Sequence, residues 1–241
     1  MPVFPAPGSS PPLPPLTLIA WCLGALLLPP ITDHAQSIAD NPYQVVYHWG
    51  NFPDDRPMGV VTGVHPDLDG EHLWILERCG ANQCAGSDLD PIHKLDRDGN
   101  VVHSIGAGLF AWPHGFDLDS EGNLWITEGA PDGDPRGEPG MARGMGHQVI
   151  KLDQDGNVLM RLGEAGVPGD DSQHFNGPAA VLVTPGGDIW VADGHRGGNN
   201  RVLKFSARGE LLLQLCGGID ARSRESGYFN DPHDLKMDSQ G

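Results

Sequence analysis

The segment GNLWITE, residues 122–128, occurs three times in this chain in related forms. It returns as GDIWVAD at residues 187–193, and HLWILE at residues 72–77 is the third copy. All three are short and rich in aromatic and β-branched residues, a composition typical of β-strands. The tetrapeptides DRDG, DSEG, DQDG and SARG separate such segments and are typical of tight turns. No helical periodicity is sustained, so the sequence predicts an all-β fold.

A second motif recurs in the same order relative to the first. KLDRDGNV (94–101) returns as KLDQDGNV (151–158) and, more loosely, as KFSARGEL (204–211). Each unit therefore holds four strands over a period of about 50 to 65 residues, which is the pattern of a β-propeller blade. Since one sheet cannot bury both of its faces alone, the blades must stack around an axis.

Three complete blades are predicted, at residues 59–107, 112–163 and 175–217. The first strand of a fourth blade begins at Phe229. Three blades and a fraction cannot close a ring, and an open ring exposes a sheet edge. We therefore expect the 241 residues to be the first part of a longer propeller, of six blades in full. The alternative is a complete protein that closes its ring by oligomerising.

Composition excludes some partners. The net charge of −17 and the pI near 4.8 leave no basic face for nucleic acid or for an anionic membrane surface. The remaining partner classes are a small-molecule or peptide substrate, or a protein ligand. The 34 glycines and 22 prolines agree with a fold made of short strands and many turns.

The N-terminal region is expected to direct export. Residues 16–28 form an apolar run of 13, too short to span a bilayer comfortably but suited to a signal-peptide core. The predicted organisation is a signal peptide or anchor at 1–36, a lead-in at 37–58 and the propeller at 59–241. The predicted location is the periplasm or the extracellular space, with no membrane contact beyond an N-terminal anchor.

The positions of the cysteines indicate their roles. Cys79 and Cys84 are five residues apart and could close a small disulfide loop in an oxidising compartment, or could be two free thiols. Cys216 ends the apolar run LLLQLC and is expected in the core.

The repeats resemble NHL repeats, and within them the lyase domain of peptidylglycine α-amidating enzymes and its bacterial relatives. The similarity extends over about 59–241 and is carried by WPHGFDLD (112–119), HFNGP (174–178), IWVADGHRGGNNRVLKFSARGEL (189–211) and FNDPHDL (229–235). The resemblance implies a six-bladed propeller with zinc in its central channel held by three histidines, an Arg and a Tyr in the chemistry, and a structural calcium ion. The implied reaction splits a peptidyl-α-hydroxyglycine into an amidated peptide and glyoxylate.

Carried over by position, the resemblance makes His114 and His233 zinc ligands. Both follow a proline at the start of an innermost strand, where side chains of different blades share one level of the channel. A single histidine there could instead simply pack. The third blade has Ala179 in the same position, so a third ligand is expected beyond residue 241.

The resemblance places the catalytic arginine at Arg78, where a guanidinium could hold a substrate carboxylate. A surface arginine beside Glu77 is the alternative. The family's DGY triplet, with its catalytic tyrosine, is DGH here, so His195 stands in place of the phenol. An imidazole could act as the base or as a further zinc ligand.

Several other polar residues lie where structural roles are expected. Glu128 and Asp193, at the ends of equivalent strands, are expected to fix turns. Four histidines without equivalent positions are expected in loops or on the surface, namely His93, His103, His147 and His174.

Three functions remain open from the sequence. The first is a metal-dependent lyase of the amidating type, and the second is a non-catalytic envelope propeller that binds a ligand or protein. The third, an enzyme acting on sugars or lactones, is ranked last because no set of carboxylates lies at the starts of the strands.

Overall fold

The computed structural model describes residues 42–47, 49–53, 56–129, 144–195, 197–216 and 228–238. These residues form three four-stranded antiparallel sheets, each in the order of the sequence. The twelve strands are β1 (Val61–Pro66), β2 (Leu73–Glu77), β3 (Ile92–Leu95), β4 (Val101–Ile105), β5 (Pro113–Leu118), β6 (Leu124–Glu128), β7 (Gln148–Leu152), β8 (Val158–Leu162), β9 (Pro178–Val183), β10 (Ile189–Asp193), β11 (Arg201–Phe205) and β12 (Leu211–Cys216). The predicted blades of an all-β propeller are therefore confirmed.

The first strand of each sheet is the innermost. Strands β1 and β5 contact each other, as do β5 and β9, so the three sheets are arranged side by side around a common centre. Gly115 of β5 makes the second contact possible, because a Cβ there would lie 2.6 Å from the carbonyl oxygen of Ala179. The glycine of the PHG motif is thus required by the close approach of two inner strands.

The core lies between adjacent sheets. Strands β2, β6 and β10 are buried along most of their length, and β2 and β6 supply the core tryptophans Trp74 and Trp125. One cluster joins the first and second sheets and another joins the second and third. The second sheet buries both of its faces, one against each neighbouring sheet, which is the reason that blades must stack.

A Trp–Lys–Asp trio recurs in the first two blades. In the second, the indole nitrogen of Trp125 donates to Asp119 at 3.0 Å, and the Lys151 ammonium lies 3.0 Å from the same carboxylate oxygen. In the first blade Trp74 and Lys94 bond Asp67 in the same way. The third blade has Thr184 in place of the aspartate.

The trio in the second blade predicts acid sensitivity. Burial alone would raise the pKa of Asp119, but the bonds from Trp125 and Lys151 outweigh it and lower the pKa from 3.8 to about 2. Since the folded pKa is the lower one, the stabilisation is complete above about pH 4 and is lost as the pH falls through about 2. We expect Asp119→Asn to lower the free energy of unfolding by about 1 kcal/mol at pH 7, allowing for partial solvation. Urea unfolding of both proteins from pH 7 to 2 measures this, and a difference independent of pH would contradict it.

Carboxylates at the end of the second strand of a sheet accept hydrogen bonds from the segment that leads into the first strand of the same sheet. Glu128 accepts from the backbone amides of Ala111 and Trp112 at 2.9 and 2.8 Å. Asp193 accepts from the amide of Asn176 at 2.8 Å. The expectation that these two acids fix turns was therefore incomplete, because they hold the segment that leads into the innermost strand.

Asp193 is also paired with a fully buried arginine. The Nε of Arg201 donates to Asp193 at 2.8 Å, while its Nη2 donates to the carbonyl of His174 at 2.6 Å. Burial raises the pKa of Asp193, and Arg201 opposes that effect. The pair joins β10 and β11 to the loop that precedes β9.

Cys79 and Cys84 form a disulfide with a Cα–Cα distance of 5.1 Å. Closing so short a loop restricts the unfolded chain, so replacing both cysteines by serine should lower the free energy of unfolding by roughly 2 kcal/mol. Denaturant unfolding of the variant measures this loss. A free-thiol count of the native protein that does not rise by two on reduction would contradict the pairing.

Two sequence-based expectations about burial were wrong. Cys216 is only half-buried, because LLLQLC forms β12, an outermost strand whose residues are mostly exposed. His93 lies within β3 and is 1% exposed, so it is neither in a loop nor on the surface, whereas His147 lies in the loop before β7, as expected, and is also 1% exposed. His93 bonds Ser104 at 2.8 Å, and its ring centroid lies 4.8 Å from that of Phe52. Nδ1 of His147 accepts from the amide of Gly177.

The described residues cover only part of the predicted domains at the two ends of the chain. The signal peptide or anchor predicted at 1–36 lies outside the described residues. Part of the lead-in contacts the first blade, where Arg56 pairs with Glu77 and bonds His93. Residues 228–238 have no strand assigned, because no described segment pairs with them. Among the described residues there is no helix that is long and apolar enough to cross a membrane.

Candidate metal centre

Three histidines from different parts of the propeller converge near its centre. The ring centroids of His114 and His195 are 4.7 Å apart, those of His114 and His233 are 4.6 Å apart, and those of His195 and His233 are 4.7 Å apart. One nitrogen of each ring lies within 4.8 Å of the others. His114 belongs to β5, His195 follows β10, and His233 lies in the segment 228–238. Among the described residues this is the one cluster of three or more His, Cys, Asp or Glu with such spacing.

His114 is held by the neighbouring blade. Its Nδ1 donates to the carbonyl of Ala179 at 2.8 Å, which leaves Nε2 on the other side of the ring. Burial lowers the pKa of His114 to about 4, and the nearby His195, Arg78 and His233 act in the same direction. The imidazole is thus neutral near pH 7, which is the form that binds a metal. The third blade has Ala179 in place of a histidine, and the carbonyl group of that alanine orients His114 of the second blade.

His195 is placed by two neighbours. The indole of Trp112 is stacked on it with a centroid distance of 5.2 Å and an interplanar angle of 5°. A carboxylate oxygen of Asp231 lies 3.5 Å from its Nδ1. Carboxylates often bond the outer nitrogen of a histidine whose other nitrogen holds a metal.

Arg78 is close to the cluster but is largely buried, with 5% of its surface exposed. Its guanidinium carbon lies 3.9 Å from the centre of the Trp112 ring. Nε donates to the carbonyl of Pro113 at 3.0 Å, and Nη1 donates to the side chain of Asn82 at 2.7 Å. Asn82 lies inside the disulfide loop, which therefore helps to fix the guanidinium. The alternative of a surface arginine beside Glu77 was wrong.

The donor set suits zinc. Three imidazole nitrogens match the protein ligands of catalytic zinc sites, and imidazole is a preferred ligand for zinc, copper and nickel. Calcium prefers oxygen ligands, so this cluster does not suit it. The third ligand expected beyond residue 241 stays a prediction, but His195 brings a third nitrogen from within the chain.

Sequence reasoning named the three histidines and Arg78 but missed Trp112 and Asp231. A signal was present, because each residue stands two positions before a histidine of the cluster, in WPH and DPH. Their shared neighbour, His195, comes from a different blade. Only the folded chain shows that both side chains meet the same ring.

The chain is similar to several known proteins. The NHL repeat model matches residues 175–205. The probable peptidyl-alpha-hydroxyglycine alpha-amidating lyase of Caenorhabditis elegans is 31% identical over 203 residues, which cover 78% of this chain and 52% of that protein. The rat peptidylglycine alpha-amidating monooxygenase is 33% identical over 201 residues, or 74% of this chain and 18% of that protein.

This chain is an NHL-repeat propeller that resembles the amidating lyases. The chain spans about half the length of the nematode relative, so the similarity covers part of that protein. Among solved structures, a protein of unknown function from Bacteroides thetaiotaomicron matches 73% of this chain and 42% of its own, with a TM-score of 0.50 and 16% identity. That match supports the fold alone.

Proposed function

We propose that this chain is part of an exported, zinc-dependent lyase of the amidating type that acts on peptidyl-α-hydroxyglycines. The observation that carries the proposal is the convergence of His114, His195 and His233 in a chain that resembles these lyases. Two of the three occupy the positions that the resemblance assigns to zinc ligands. The reaction breaks the bond between the amide nitrogen and the hydroxylated carbon. The hydroxyl proton is removed, the amide nitrogen gains a proton, and glyoxylate leaves.

The roles of the residues follow from their positions. His114 and His233 would hold zinc, and His195 would be a third ligand or the base that takes the hydroxyl proton. When bound, zinc would supply a Lewis acid for an oxygen of the substrate. Arg78 brings a fixed positive charge to the site, where it would orient the substrate carboxylate.

Export, a peptide substrate and the structural calcium ion belong to the proposal as well. The apolar run at 16–28 and the bridge between Cys79 and Cys84 support a periplasmic or secreted protein, since such bridges persist in oxidising compartments. Calcium rests on the family resemblance.

The test uses the full-length protein with all its blades. Purified protein is stripped with a chelator, reloaded with zinc and given a peptidyl-α-hydroxyglycine, and glyoxylate is measured. Release that needs zinc supports the lyase, and His195→Tyr is the matched variant that restores the family's phenol. Zinc-loaded protein that releases no glyoxylate, with or without that substitution, would overturn it.

The second candidate is a non-catalytic propeller that binds a small ligand or a protein. The specific observation in its favour is the histidine at position 195, because an imidazole differs from a phenol in charge and acidity. Under this alternative the zinc-loaded protein binds hydroxylated or amidated peptides without turning them over.

A further inference from the structure

Trp112 is the common neighbour of the cluster. Its indole is 6% exposed and contacts His195, His114 and the guanidinium of Arg78. The ring of His114 lies 5.1 Å from it at an angle of 51°, whereas His195 is parallel to it. The indole therefore forms one wall of the site and sets the plane of one ligand candidate.

The backbone of Trp112 is tied down at both ends. Its amide donates to Glu128, and its carbonyl accepts from the amide of Gly129 at 3.2 Å. Glu128 is 1% exposed and ends β6, a strand buried along its whole length. The backbone that carries the indole is thus bonded to the end of a fully buried strand.

Asp231 reaches the same imidazole from another direction. Its amide donates to the side chain of Asn200 at 2.7 Å, and Asn200 is 3% exposed. Asp231 is therefore held against the end of the third blade, with a carboxylate oxygen 3.5 Å from Nδ1 of His195. The indole thus lies parallel to the plane of the imidazole, the carboxylate lies on its Nδ1 side, and Nε2 is on the opposite side of the ring.

We propose that Trp112 and Asp231 are positioning residues that orient His195 as the third nitrogen donor of the cluster. The inference rests on the proposed metal centre, but it concerns the site's geometry rather than the reaction. The inference gives the imidazole of His195 the role of a metal ligand, for which no phenol is needed. An outer carboxylate is a common partner of metal-bound histidines, and here the indole of Trp112 also covers one face of the ring.

The test measures cobalt(II) and zinc binding by the same full-length protein that the lyase assay uses. Outer partners of metal ligands change affinity by about 10–100-fold, so we expect Trp112→Leu and Asp231→Ala to weaken both metals by that factor and to alter the cobalt d–d spectrum. Trp112→Phe keeps an aromatic face and should retain most of the affinity and the native spectrum. Trp190→Leu removes a tryptophan of the third blade that lies outside the cluster and should leave both unchanged.

The outcomes separate the two proposals. If the unsubstituted chain binds cobalt and Trp112→Leu, still folded by circular dichroism, has the same affinity and spectrum, the positioning role is overturned while the metal centre stands. If the unsubstituted full-length protein binds neither metal, the proposed function is overturned. The positioning role is then tested on the metal-free protein by NMR. Stacking on Trp112 predicts an upfield shift of the His195 ring protons, which Trp112→Leu should remove. If the substitution leaves these resonances unchanged, the positioning role is overturned as well.

Discussion

Replacing His114 by alanine should lower the zinc affinity of this chain at least about 100-fold. That factor is the upper end of what loss of an outer partner costs, and loss of a direct ligand should cost no less. The ring that would be lost lies 4.7 Å from His195 and 4.6 Å from His233, and its Nδ1 is bonded to Ala179. Competition titration with a chromophoric chelator measures the change.

The same experiment decides whether three ligands or two are present. If all three imidazoles coordinate, His195→Ala and His233→Ala should each weaken binding to a similar extent. His103→Ala is the matched control, since His103 also bonds a carbonyl, that of Gln154 at 2.8 Å, but lies outside the cluster. A His195→Ala protein with native affinity, beside two weakened variants, would contradict its role as a ligand.

Replacing Arg201 by methionine should lower the free energy of unfolding by about 3–5 kcal/mol. Such losses are typical when one member of a buried ion pair is removed and its partner stays behind. Arg201 and Asp193 are both fully buried, and the guanidinium also binds carbonyl groups of Asp171 and His174. Urea or guanidinium unfolding, followed by circular dichroism, gives the value.

Two further variants identify the cause of that loss. The double variant Asp193→Asn/Arg201→Met removes both charges and should be more stable than Arg201→Met alone, because no unpaired carboxylate remains buried. Arg208→Met, in the same blade, removes an exposed arginine that pairs only loosely with Glu210 and should change stability by less than about 0.5 kcal/mol. A double variant as unstable as the single one would show that the carbonyl bonds, not the charge pair, dominate.

The amino-acid sequence predicted the blades well because their signals are local. A strand such as LWITE and a turn such as DSEG carry their own composition, and three repeats in one order define the sheets. The same repeats placed His114 and His233 at equivalent positions, so their convergence could be expected from propeller geometry. The burial of His93 and His147 could not, because it depends on which face of a strand a neighbouring blade or segment covers.

The role of His195 could not be predicted from the local sequence pattern. The sequence established that a histidine replaces the family's tyrosine, but allowed it to be a base or a ligand. The folded chain adds the stacked indole of Trp112 and the carboxylate of Asp231, which are 83 and 36 residues away along the chain. Repeated strands and turns depend on neighbouring residues, so the propeller could be predicted from the sequence. The surroundings of the imidazoles could not be predicted in this way, because they arise from packing between blades that are far apart in the chain.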